Sequence, residues 1–89
     1  MFSLVVHKFF TKDLKKAGLN PTNTAKMYMY TSLLLNGKDL PVEARDHSLS
    51  GEYHDTREFH ISGDLLIIYR HEENVLQLLR LGTHSQLFK

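Results

Sequence analysis

The chain has 89 residues, 42% of them hydrophobic and 24% charged, and a formal net charge of +1. That length allows one core, read as a single domain over residues 1–89, and the apolar fraction excludes disorder as the default state. With no cysteine, no disulfide framework or thiolate zinc site can form, and with neither a signal-peptide pattern nor an apolar run of roughly 20 residues, a cytoplasmic protein without a membrane partner is expected.

Ser3–Phe9 alternates as a strand. Thr11 reads as an N-cap, Asp13 as a first-turn acid favouring the helix dipole, and Gly18 as the residue that ends the helix. Asn20 and Pro21 start a second helix, the one as cap and the other at its first position. Its sequence sets Ala25, Met29, Ser32 and Leu33 on one side, with Met27, Tyr30 and Leu34 nearby, and Gly37 closes it. Lys38–Ser50 lacks periodicity and reads as a loop with a short turn around Val42–Asp46.

Three strands follow. Tyr53–Ile61 places His54, Thr56, Glu58 and His60 on one face. Ser62-Gly63 turns into Leu65–Tyr69, apolar on both faces as a central strand is. Glu72-Glu73-Asn74 turns into Val75–Leu81, Gly82 breaks that strand, and Thr83–Lys89 is a short tail. The order β-α-α-β-β-β is an α+β layout, an antiparallel sheet with two helices packed on one face.

Charge is split along the chain. Residues 1–40 carry six lysines against two aspartates, a net +4; residues 41–89 carry four arginines and one lysine against eight carboxylates, a net −3. A basic half suggests a polyanionic partner.

Five of the six histidines, His47, His54, His60, His71 and His84, lie beyond residue 46. Imidazole both gives and takes a proton near neutrality, which is what RNA cleavage by the ribose 2′-hydroxyl requires. A base removes the 2′ proton, an acid protonates the leaving 5′-oxygen, and an arginine offsets charge on the phosphate. Neither metal nor cofactor is needed. Glu58 and His60, two apart on one strand, share a face. Asp64 follows the next turn, Arg80 lies near the end of the last strand, His84 follows it, and His47 lies in the long loop. These groups can converge at one end of the sheet. A zinc site on His47, His60, His84 and Asp64 is the competing reading, but no tight ligand pair supports it.

Four ordered blocks carry a family resemblance: Arg45-Asp46-His47-Ser48-Leu49-Ser50-Gly51, Arg57-Glu58-Phe59-His60-Ile61, Asp64-Leu65-Leu66-Ile67-Ile68-Tyr69, and Leu79-Arg80-Leu81-Gly82-Thr83-His84-Ser85-Gln86-Leu87-Phe88. The series resembles the YafQ branch of the RelE/ParE toxin superfamily, with the N-terminal third agreeing mainly in layout. The resemblance implies a RelE-like fold and the toxin of a type II toxin–antitoxin pair. Such a toxin is an mRNA interferase that cuts mRNA in the ribosomal A site and is blocked by a cognate antitoxin. It carries functional roles onto His47, His60, Asp64, His84 and Phe88, with Glu58 and Arg80 in support. Of these, Phe88 is the one that the chemistry had not already singled out; an aromatic side chain there can stack on a base.

On this reading His60 or His47 is the base, with Glu58 or Asp64 fixing its tautomer. His84 is the acid and Arg80 the phosphate ligand. Lys12, Lys15, Lys16, Arg45 and Arg57 would contact RNA, the helix lysines gripping ribosomal RNA. One departure stands out: Gly51 is followed by Glu52-Tyr53-His54-Asp55, where relatives are more basic or carry tryptophan. Gyrase-inhibiting ParE relatives, which cut no RNA, form the alternative from another class, but they lack this histidine set.

Overall fold

The computed structural model describes residues 1–88; Lys89, counted in the charge above, lies outside the described residues. The elements are β1 (Ser3–Val6), α1 (Lys8–Ala17), α2 (Pro21–Leu35), β2 (His47–Ser48), β3 (Arg57–Ser62), β4 (Leu65–Glu72), β5 (Val75–Thr83) and α3 (His84–Leu87). They form one five-stranded sheet in the order β1-β5-β4-β3-β2. The β3–β4–β5 run is antiparallel as expected; His47–Ser48, inside the segment that reads as a loop, instead forms β2 antiparallel to β3, and β1 pairs parallel to β5, Ser3 opposite Val75 and Val6 opposite Leu78, so the sheet is mixed.

The strand β1 stops earlier than its alternation suggests. The His7 ring accepts the Phe9 amide at 3.1 Å, capping α1 four residues before Thr11. Early turning buries Phe10 against the sheet and leaves Asp13 in mid-helix. The Asn20 cap accepts the Asn23 amide at 2.7 Å, and Pro21 opens α2 as its fixed φ suits. The buried stripe of α2 is Met27, Tyr30, Thr31 and Leu34, at helical spacing. The expected face is thus rotated: Met29 is 52% exposed.

Both long helices cover one sheet face, where Phe10, Met27, Tyr30 and Leu34 pack on Phe59, Ile61, Ile67, Tyr69 and Leu78. A smaller cluster on the opposite face joins Leu66, Ile68 and Leu87 to Leu49, Tyr53, Leu79 and Phe88. There α3 and the segment before β3 cover part of the sheet, and the strands beside them keep polar side chains. No helix among the described residues is long and apolar enough to cross a membrane.

Two segments differ from expectation in ways that matter to the site. Tyr53 sits in a single 3₁₀ turn, Gly51–Tyr53, so β3 begins only at Arg57. His54 therefore lies off the strand, exposed and paired to Asp55 at 3.4 Å. And β5 runs through Gly82 to Thr83, after which the tail winds into α3 under a Thr83–Gln86 capping box.

Candidate active site

Glu58 is the centre. Its side chain projects from β3 on the face opposite the long helices and is only 3% exposed. His60, two residues on, brings Nε2 to within 2.8 Å of Glu58 Oε2. His47, held opposite Glu58 by the β2–β3 ladder, brings its Nε2 to 3.6 Å from the same oxygen. Two imidazoles thus flank one buried carboxylate, as the shared-face reading of Glu58 and His60 requires. The second carboxylate oxygen, Oε1, is buried with no hydrogen-bond partner among the described residues, a cost of about 1–3 kcal/mol.

The two rings are held differently. Arg45 Nη2 donates to His60 Nδ1 at 2.8 Å and to the Gly63 carbonyl at 3.1 Å. With Arg45 taking the Nδ1 lone pair, the proton of neutral His60 sits on Nε2 and points at Glu58. His47 donates Nδ1–H to the Arg45 carbonyl at 2.7 Å, which leaves its Nε2 as the unprotonated nitrogen. The His47 side chain is 53% exposed and that of His60 12%, so His47 presents the accessible ring. Arg45 has φ 51°, the left-handed conformation after the Val42–Ala44 3₁₀ turn. For a residue with a β-carbon this costs on the order of 1 kcal/mol, and it turns backbone carbonyl and guanidinium toward different histidines.

The β3–β4 turn continues the site. Asp64 Oδ1 accepts the His84 backbone amide at 3.4 Å, so Asp64 steadies the start of α3 while Glu58 serves the His60 ring. The His84 ring stacks on Phe88, centroids 4.4 Å apart, and Phe88 meets Tyr53 edge-on at 5.3 Å. Tyr53, not among the expected site residues, links this aromatic group to the chain before β3. Its alternation within an assumed strand hid it.

Arg80 points elsewhere than a bare phosphate ligand would. Its Nε and Nη2 donate to the two oxygens of Asp13 at 2.7 and 3.1 Å, and Asp13 Oδ2 also accepts the Leu81 amide at 3.0 Å. Past the end of β1, the carboxylate satisfies a β5 edge amide and ties α1 to the sheet. Burial pushes the Asp13 carboxyl up. The Arg80 hydrogen bond, the Leu81 amide and the charges of Arg80 and Lys16 outweigh this and hold it below its ordinary value. Hydrogen bonding to Asp13 likewise raises Arg80 further. Asp13, Lys16, Arg80, Thr83 and Gln86 line an open cleft of about 410 Å³ beside α3. Lys15 and Lys16 sit in the last turn of α1. Arg57 is set apart: Nε lies 3.1 Å from Asp46 Oδ1, level with Tyr69 on the helix-covered face.

A family model described as a bacterial toxin of type II toxin–antitoxin systems, YafQ, matches residues 2–89. The chain belongs to the YafQ toxin family. The mRNA interferase toxin YafQ of Escherichia coli K12 is 34% identical over 80 residues, 89% of this chain and 87% of that one. A chain of the E. coli DinJ–YafQ complex superposes with a TM-score of 0.87 at 29% identity, covering 100% of both chains. A metal-bound toxin from Helicobacter pylori gives a TM-score of 0.87 at 38% identity, covering 99% of this chain and all of that one.

Among the described residues of this chain, no three His, Asp or Glu side chains are grouped to hold a metal ion. Arg45 and Glu58 occupy both nitrogens of His60, so His60 as placed has no nitrogen free for a metal ion.

Proposed function

We propose that this YafQ-family toxin cuts mRNA by intramolecular transesterification, with His47 as general base and His84 as general acid. The observation that carries the reading is the pair of imidazoles on buried Glu58, one of them, His47, with its side chain half exposed. His47 Nε2 takes the proton of a ribose 2′-hydroxyl. The 2′-oxygen forms a bond to the adjacent phosphorus, the P–O5′ bond breaks, and His84 in its protonated form gives a proton to the departing 5′-oxygen. Glu58 Oε2, 3.6 Å from His47 Nε2, stabilises the imidazolium that forms. His60 holds Glu58 in place, and Asp64 anchors α3 and with it His84.

Arg80 binds the phosphate with the guanidinium edge that Asp13 leaves open, helped by Lys16 in the same cleft. Phe88 and the His84 ring offer a stacking platform for an unpaired base. Lys12 and Lys15 extend the basic side along α1, which suits a grip on ribosomal RNA while the messenger lies in the A site. Arg45 serves the site directly through His60. By likeness to the DinJ–YafQ pair, a cognate antitoxin is the protein partner, and the cytoplasm is where the chain works.

Analysis of the cut ends tests the reading. The products should carry a 2′,3′-cyclic phosphate and a 5′-hydroxyl. RNA with a 2′-O-methyl group at the cut position should resist, and cleavage of free RNA should persist in a chelator. Normal cutting of the methylated RNA would mean that water is the nucleophile, and the proposal would fail.

A further inference from the structure

Asp46 lies between Arg45 and His47, the two residues that fix the histidine cluster, but its side chain turns the other way. On the helix-covered face Asp46 Oδ1 accepts the Tyr69 hydroxyl at 2.6 Å and lies 3.1 Å from Arg57 Nε, while that nitrogen is also 3.3 Å from the Tyr69 oxygen. Arg57 and Tyr69 are cross-strand partners on β3 and β4. We propose that Asp46, Tyr69 and Arg57 form a positioning cluster that sets Arg45 and His47 in their reactive arrangement from the opposite side of the sheet. The inference rests on the function proposed above and adds residues to which that function gives no part.

The reason such a cluster is needed is the shortness of β2. It has two residues, pairing His47 with Glu58 and Ser48 with Arg57. So short a ladder specifies its register weakly, and a slip of one residue sends every side chain to the other face. Here a slip would carry His47 away from Glu58 and Arg45 away from His60. The side chain of Asp46 supplies the missing register.

Tyr69 is a rigid post for it. The residue is 1% exposed, and its ring is fixed by Phe59 and His71, each with centroids 5.6 Å away. Burial and then Asp46 raise the Tyr69 hydroxyl above its ordinary value, so it remains a donor to the carboxylate. Arg57, with 42% of its side chain exposed, closes the cluster from the solvent side.

These residues touch neither substrate nor reacting atoms, so their effect must pass through Arg45 and His47. Tyr69→Phe keeps the packed ring and deletes the hydroxyl; Asp46→Asn weakens the acceptor. Each should lower kcat roughly ten- to a hundredfold with KM within about twofold. In a His47→Ala background the same changes should cost almost nothing further, because the residue they position is gone. The His47 ring signals in an NMR spectrum should shift in both variants, a readout independent of any RNA.

Equal losses in both backgrounds, or unchanged His47 signals, would overturn the inference. Should Tyr69→Phe fail to fold, the half-exposed Arg57→Gln carries the same cycle. Failure of the proposed function would look different: wild-type protein and His47→Ala would cleave alike, while the His47 ring signals would still report on the positioning.

Discussion

A β-carbon on Gly82 would stand 2.9 Å from Oε1 of Gln86. That oxygen already accepts the Thr83 amide at 2.9 Å, completing the capping box that starts α3. The added carbon would also press on Leu87 at 3.3 Å. An added carbon at the corner between β5 and α3 would thus make the Gln86 amide and Leu87 give way, and the corner is what places His84 and Phe88.

Gly82→Ala should thus displace α3. The expected cost is about 1–3 kcal/mol of stability, as for an overpacked core, together with a loss of cleavage larger than that stability change explains. Thermal melting alongside single-turnover cleavage checks both. Wild-type values in the two assays would show that α3 tolerates the methyl group and that its close packing is incidental.

The Asp13–Arg80 pair sets an acid limit. A carboxyl held below its ordinary value of 3.8 contributes stability that is present above that value and is lost as pH falls through the lowered folded-state value. Wild-type protein should therefore be more stable than Asp13→Asn at neutral pH. The gap should narrow below about pH 4 and disappear once the carboxyl is protonated. Melting temperatures of the two proteins across this range decide the matter; a gap that persists undiminished into strong acid would mean that the pair contributes by packing and not by charge.

His84 as general acid should contribute on the order of 10²–10⁴ in rate. His84→Ala should lose that much with little change in RNA affinity, whereas His54→Ala, out on the surface beside Asp55, should cost little. A substrate with a bridging 5′-sulfur needs no proton on departure, so it should be cut nearly as well by His84→Ala as by wild type. A large defect on ordinary RNA without this rescue would give His84 another role and reopen the choice of acid between His47 and His60.

Much of the fold was legible because local signals and tertiary packing agreed. Asn20 and Pro21 mark the start of α2, Gly18 the end of α1, and the period-two pattern around Glu58 and His60 puts both on one face, the one opposite the long helices. The misread positions are those where a distant partner decides. Lys8-Phe9-Phe10 has strand-like residues, but β1 gives way to helix because His7 can cap it and Phe10 can then reach the core. The face of α2 was rotated because Met29 and Met27 look alike in sequence, and only the sheet chooses between them. Gly82 reads as a strand breaker, yet β5 runs through it and α3 packs close above it.

The site shows the same division. Histidine chemistry pointed to His47, His60 and His84. It did not show that Arg45 would straddle His60 and Gly63, since nothing local announces a left-handed arginine. Asp13 reads locally as a helix-dipole acid because its partners, Arg80 and the Leu81 amide, lie 67 and 68 residues away.

The parallel pairing of β1 with β5 has a consequence for biosynthesis. Ser3 finds its partner at Val75, so the chain must be made through β5 before the first strand can be incorporated. Such non-local closure is slow and comes late in folding. His84 and Phe88 follow β5 in the chain and are made later still. In a nascent chain β1 and the helices behind it therefore wait for a strand not yet made, and the Asp13–Arg80 link between α1 and β5 can form only after that.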